Sequence, residues 1–119
     1  RFAAYDYSRF PDAETTLQRI CRQLEPYQGK QTVIHGDPVF PNISINHYGK
    51  IKFIDMRGKI EDTLTIYGDF LYDWAKMYQS LIGYDEIHEE KTLSLAYKNK
   101  MVDFFEEYFE ELYGEHVDF

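Results

Sequence analysis

Three oxygen-bearing side chains stand at spacings that suit phosphoryl transfer with magnesium. Asp37 lies in the run His35-Gly36-Asp37-Pro38-Val39-Phe40-Pro41-Asn42, which has the form H-x-D-x-x-x-x-N, and Asp55 follows in Ile54-Asp55-Met56-Arg57-Gly58. Phosphoryl transfer asks little covalent work of a protein. It needs a carboxylate to orient the attacking hydroxyl and take its proton, and oxygen ligands for the metal. Asp37, on a loop leaving a strand, can supply the carboxylate. Asn42 offers a neutral amide oxygen and Asp55 a charged one. Magnesium usually takes only one or two carboxylates, with phosphates and waters completing its shell. Pro38 and Pro41 stiffen the intervening loop. Competing roles exist for each residue. Asp37 before Pro38 is also a turn former, and His35 could ligate a metal. Arg57 and Lys59 could touch phosphate or substrate, or be solvated loop charges. A metal-dependent hydrolase built on His35, Asp37 and Asp55 would need further ligands at set spacing, such as H-E-x-x-H, and that pattern is absent.

Positioning these groups requires a strand–turn–strand unit. Gln31–His35 is β-prone and leads into the loop. Ile43 and Ile45 alternate with Ser44 and Asn46. Ile51, Phe53 and Asp55 alternate with Lys52 and Ile54, and His47-Tyr48-Gly49 lies between the two runs. This predicts a β-hairpin closed by a glycine-containing turn. Antiparallel pairing sets the entry of the first strand, Asn42, opposite the exit of the second, Asp55.

Helices are expected on both sides. Leu17, Ile20, Cys21 and Leu24 fall on one face of a helix over residues 11–24, with Pro11, Asp12 and Glu14 in its first turn and Pro26 and Gly29 ending it. Cys21 is expected in the core. Residues 1–10 carry no assignable period, residues 56–66 are expected to form a loop, and residues 83–96 are ambiguous. A second helix is predicted from Gly68 or Asp69 to about Leu81, its buried stripe being Leu71, Trp74, Ala75, Tyr78 and Leu81; Asp69 is its expected cap. A third runs over residues 97–113, with Tyr97, Met101, Phe104, Phe105, Tyr108, Phe109 and Leu112 apolar and Glu106, Glu107, Glu110 and Glu111 solvated; Gly114 stops it. His47, His88 and His116 are expected at the surface.

The 35–42 run resembles the Brenner-type motif of aminoglycoside phosphotransferases, choline kinases and related small-molecule kinases, which carry H-G-D-x-x-x-x-N where protein kinases carry H-R-D-x-x-x-x-N. Ile54-Asp55 resembles their metal-binding I-D, and Tyr72-Asp73-Trp74-Ala75 their downstream Y-D-[LIW]-A helix. The similarity covers residues 31–80. It implies an α+β fold: the mainly helical C-terminal lobe of the protein-kinase-like fold, with a small hairpin carrying the site. It implies Asp37 as catalytic carboxylate, Asn42 and Asp55 as magnesium ligands, His35 and Asp73 as structural supports of the loop, and ATP as phosphoryl donor to a small-molecule hydroxyl. The I-D-M-R-G and Y-G-D-F-x-Y-D-W-A-K wording is similar to sequences of capsular or surface-polysaccharide synthesis, which implies a sugar-related acceptor. Such kinases also need an N-terminal lobe with a strand lysine and a phosphate-covering loop. The only lysine before residue 31 is Lys30. The chain is therefore expected to be one lobe of a longer enzyme, inactive by itself. The competing function is a non-catalytic, kinase-like binding or regulatory module.

Composition bounds these readings. The 119 residues suffice for one domain, and 44% hydrophobic with 29% charged residues is the balance of a globular chain. A formal net charge of −8 with no basic stripe argues against nucleic acid as partner. It does not argue against a nucleotide carried with magnesium. Eleven Tyr and nine Phe are expected mostly in the core. One cysteine excludes an intrachain disulfide and suits a reducing compartment, so the expected location is the cytoplasm. No apolar run reaches the length of a membrane span.

Overall fold

A computed structural model describes residues 12–114, 116, 117 and 119. Among these residues the fold is α+β, with four helices and three small antiparallel strand pairs. The chain runs α1 (Ala13–Leu24), β1 (Gln31–Val33), a 3-10 turn (Phe40–Asn42), β2 (Ile43–Ile45) and β3 (Ile51–Phe53). It continues through β4 (Lys59–Ile60), β5 (Thr63–Leu64), β6 (Tyr67–Asp69), α2 (Phe70–Leu81), α3 (Tyr84–His88) and α4 (Leu95–Tyr113). Pro11 and the segment before it lie outside the described residues.

The predicted hairpin is β2–β3, with Ile43 opposite Phe53 and Ile45 opposite Ile51. Its turn is organised by Asn46, whose Oδ1 accepts from the backbone N–H groups of Tyr48 and Lys50. Gly49 takes a φ of 77°, a conformation that costs a glycine nothing. Residues 56–66 are not the plain loop expected from sequence: β4 and β5 pair within them, Lys59 against Leu64. Two-residue strands carry too little periodicity to be seen in advance. The chain then returns as β6 to pair with β1, Gln31 opposite Asp69 and Val33 opposite Tyr67. That long-range pairing carries the start of α2 to the strand that feeds the 35–42 loop.

Helix α2 begins where Asp69 predicts it, the Asp69 side chain accepting from Leu71 N–H at 2.8 Å. Ser94 caps α4 by accepting from Tyr97 N–H, and Gly114 ends it in the left-handed region at φ 67°. The ambiguous 83–96 stretch holds the short helix α3. The core lies between α2 and α4. Trp74 meets Phe105, Phe109 and Tyr113 edge-on, with ring centroids 5.4, 5.1 and 5.7 Å away. Phe119 closes over Phe105 and Phe109 at 5.3 and 5.0 Å. Edge-to-face rings of this kind add attraction beyond their buried area.

Several expected core positions are at the surface. Cys21 is exposed, and so are Leu17, Ile20 and Leu24, because no described element buries the apolar face of α1. On α4 only Phe105 and Phe109 are buried, while Tyr97, Phe104, Tyr108 and Leu112 are exposed. Ala75 on α2 is exposed as well. A helical stripe states which side chains share a face; it takes a second element to cover that face, and of the α4 stripe only Phe105 and Phe109 are buried. Most of the aromatic rings therefore lie outside the core. The radius of gyration, 16.5 Å, exceeds the roughly 13–14 Å of a compact chain this long. No helix among the described residues is long and apolar enough to cross a membrane.

Phe109 is 1% exposed and stands at the centre of the ring cluster. Phe109→Ala is expected to cost about 3–5 kcal/mol, measurable as a lowered midpoint in equilibrium chemical denaturation. Phe104→Ala, on the exposed side of the same helix, should shift it far less.

Candidate active site

The 35–42 loop leaves β1 after the buried Ile34 and must turn sharply at Gly36, which has φ 85°. A Cβ there would come within 2.9 Å of Arg57 Cβ, so both the backbone angle and the space require glycine. The turn points the backbone N–H groups of His35 and Gly36 at one acceptor, the carboxylate of Asp73 on α2. His35 N–H donates to Oδ2 at 2.6 Å and Gly36 N–H to Oδ1 at 2.9 Å. Hydrogen bonds to a charged acceptor are each worth about 1.5–3 kcal/mol, which makes this pair the strongest polar link between loop and helix.

Two further contacts come from the same face of α2. Lys76 Nζ lies 3.0 Å from Asp37 Oδ1, and Ser80 Oγ accepts from Phe40 N–H at 3.1 Å. Ser80 is buried and donates in turn to Asp85 Oδ2 at 3.3 Å, tying α3 to the loop. Positions 73, 76 and 80 follow the i, i+3, i+7 spacing of one helical face. Asp73 is drawn from the Y-D-W-A run. Lys76 and Ser80 are not anticipated by sequence reasoning, although that spacing from Asp73 was the available signal.

Within the loop, Asn42 Nδ2 donates to the Asp37 carbonyl oxygen at 2.9 Å and lies 3.5 Å from Asp37 Oδ2, the outer limit of a hydrogen bond. Asp37 and Asn42 are thus in direct contact. Asp55 is brought alongside by the hairpin: Ile54 N–H donates to Asn42 O at 3.0 Å, which sets Asp55 one residue beyond Asn42. Asp55 is exposed and held at φ 60°. Aspartate tolerates this left-handed conformation better than most residues, yet it still costs about 1–3 kcal/mol. Glu61 and Glu90 share the sign of φ, but both lie in tight turns.

His35 Nδ1 accepts from Asp37 N–H at 3.4 Å, and its ring packs 5.7 Å from Phe53 of the hairpin. Its Nε2 is buried with no hydrogen-bond partner among the described residues. Behind it a cavity of about 510 Å³ is lined by His35, Pro38, Phe53, Met56, Trp74 and Met77. Arg57 works as a staple on the opposite side: its N–H donates to His35 O at 3.0 Å and its Nη1 to Tyr72 Oη at 2.9 Å. Lys59 is exposed in β4 and lines, with Arg57, a separate hollow of about 310 Å³. Beyond the loop, Glu89 and Lys91 form an exposed ion pair; their hydrogen bond and mutual attraction hold the Glu89 carboxyl below, and the Lys91 ammonium above, their ordinary ranges.

The donor chemistry of this corner fits a hard cation. Asn42 Oδ1 and the Asp55 carboxylate are oxygen ligands, and the Asp55 carboxylate makes no hydrogen bond or ion pair among the described residues. No group of three or more His, Cys, Asp or Glu gathers as a metal site among the described residues. A cation here would therefore lean on ligand phosphates and water. Compared with protein-family models, with curated proteins and with solved structures, the chain matches none.

Asp73→Ala would strand two part-buried N–H donors. It is expected to cost about 2–4 kcal/mol of stability, read by chemical denaturation, and to speed hydrogen exchange selectively at the His35 and Gly36 amides.

Proposed function

We propose that the chain is the C-terminal, substrate-side lobe of a small-molecule kinase of the protein-kinase-like fold, transferring the ATP γ-phosphoryl group to a hydroxyl of a sugar, amino alcohol or related acceptor. On this reading the ATP-holding lobe belongs to the longer polypeptide. The observation that carries it is the meeting of Asp37, Asn42 and the end of the β2–β3 hairpin: Asn42 bonds Asp37 through its side chain and Ile54 through its backbone. One residue on, Asp55, held at φ 60°, presents a carboxylate with no hydrogen bond or ion pair among the described residues.

Each residue then has a distinct task. Asp37 keeps Oδ1 on Lys76 and offers Oδ2 to the acceptor hydroxyl, orienting it and receiving its proton as the oxygen attacks. Asn42 and Asp55 would hold magnesium through one neutral and one charged oxygen. Magnesium held there with a nucleotide would neutralise charge on the phosphate oxygens. Asp73 keeps the loop from moving as charge shifts, which matters because a displacement of about 1 Å can cost on the order of 10²-fold in rate. His35 supports the loop from within, its ring wedged against Phe53. Sequence wording similar to capsular polysaccharide synthesis makes a sugar-related acceptor the first to test.

The full-length polypeptide containing these residues is expected to bind ATP only with magnesium. Asp55→Ala should abolish that magnesium-dependent binding, seen by calorimetry. Asp55→Gly should abolish it too, yet leave the fold at least as stable as the wild type, since glycine accepts φ 60° without strain. Asp37→Asn should retain nucleotide binding while turnover falls about 10²–10⁴-fold. Tight nucleotide binding without metal would defeat the reading. Magnesium-dependent binding with no transfer to any hydroxyl acceptor would identify a non-catalytic module instead.

A further inference from the structure

Among the described residues, the Lys76–Asp37 ion pair is the one polar contact to the proposed catalytic carboxylate that comes from outside its own loop. Lys76 Nζ stands 3.0 Å from Asp37 Oδ1, and the two side chains are 26% and 40% exposed. The lysine is itself held, its Nζ donating to Gln79 Oε1 at 2.9 Å one turn along α2. Its helix is anchored to the loop on both sides of the pair, by Asp73 at His35 and Gly36 and by Ser80 at Phe40. A lysine on a free surface would swing among rotamers. Here the stem is fixed by the helix, the head by Gln79, and the target by a loop clamped at both ends.

We infer that Lys76 is the positioning residue for Asp37: it pins Oδ1 so that Oδ2 alone faces the acceptor hydroxyl. This rests on the phosphotransferase reading and adds a residue to it. Two features argue for orientation rather than stability. A half-exposed ion pair contributes little to folding, and the structural load on the loop is already borne by Asp73 and Ser80. The carboxylate, by contrast, has no other firm restraint among the described residues. The Asn42 contact to Oδ2 is at the 3.5 Å limit, and the Asp37 N–H, not its side chain, meets His35. Without Lys76, the Asp37 side chain is free to rotate, and its second oxygen no longer has a defined direction. A lysine also suits the task electrostatically. Its single charge holds one oxygen without the two-pronged grip of an arginine, which would occupy both.

The test uses the full-length polypeptide with Lys76→Met, which keeps the aliphatic stem, and Lys76→Arg, which keeps the charge. For Lys76→Met, kcat should fall about 10–100-fold, with KM for ATP within about twofold and magnesium-dependent nucleotide binding unchanged. Three-bond couplings should show one Asp37 χ1 rotamer in the wild type and averaging in the Met variant. Lys76→Arg should restore the rotamer and part of kcat. A Met variant with wild-type kcat and a single Asp37 rotamer would overturn the assignment. So would one that loses nucleotide binding or cooperative unfolding, because that would make Lys76 a structural residue. A wild-type polypeptide that transfers no phosphoryl group would sink the phosphotransferase reading and this role with it; an active wild type with an indifferent Lys76 would sink this role alone.

Discussion

The structure turns on one carboxylate accepting two backbone hydrogen bonds. Asp73 reaches from the first turn of α2 to the N–H groups of His35 and Gly36, at 2.6 and 2.9 Å. A loop that leaves a three-residue strand and bends at a left-handed glycine has little else to define its path. Its N–H groups would otherwise be part-buried and unpaired, an expensive condition. By satisfying both with one ionised side chain, α2 fixes the loop's entry. Lys76 and Ser80 extend the same helical face along the loop to Phe40. The site is therefore as rigid as the seating of α2, and α2 is seated by the aromatic cluster it shares with α4.

That dependence links the core to the chemistry proposed for the loop. Trp74 immediately follows Asp73, and its ring lies among Phe105, Phe109 and Tyr113. One side of α2 thus grips the apolar core while another holds polar backbone. Strand β6, paired with β1, brings the start of the helix to the strand from which the loop departs. The segment leaving the hairpin supplies Asp55, held at φ 60° just after the Ile54–Asn42 backbone bond that extends the β2–β3 pairing.

Much of the surface does not take part. The apolar face of α1 and the outer stripe of α4 lie open, as do Ile45, Ile51 and Phe53 of the hairpin. The described residues bury few large side chains, so stability concentrates in the α2–α4 contact. Local interactions, namely caps, the Asn46-organised turn and the loop clamp, carry an unusual share of the definition.

Features set by neighbours in the chain were legible from sequence alone. The hairpin and its turn, the Asp69 cap and the Gly114 stop follow from alternation, turn chemistry and capping, each of which acts over a few residues; the register does not, since Asn42 faces Ile54 and not Asp55 as the alternation predicts. The closeness of Asn42 to the segment leaving β3, on which Asp55 lies, also follows from antiparallel pairing once the turn is placed. The pairing of β1 with β6, the reach of Lys76 and Ser80 to the loop, and the exposure of Cys21 and Phe104 were decided by tertiary structure. Periodicity states which residues share a face of a helix, but what lies across from that face is settled only by elements distant in sequence. For α1 no described element lies there, and for α2 the element opposite is the loop itself.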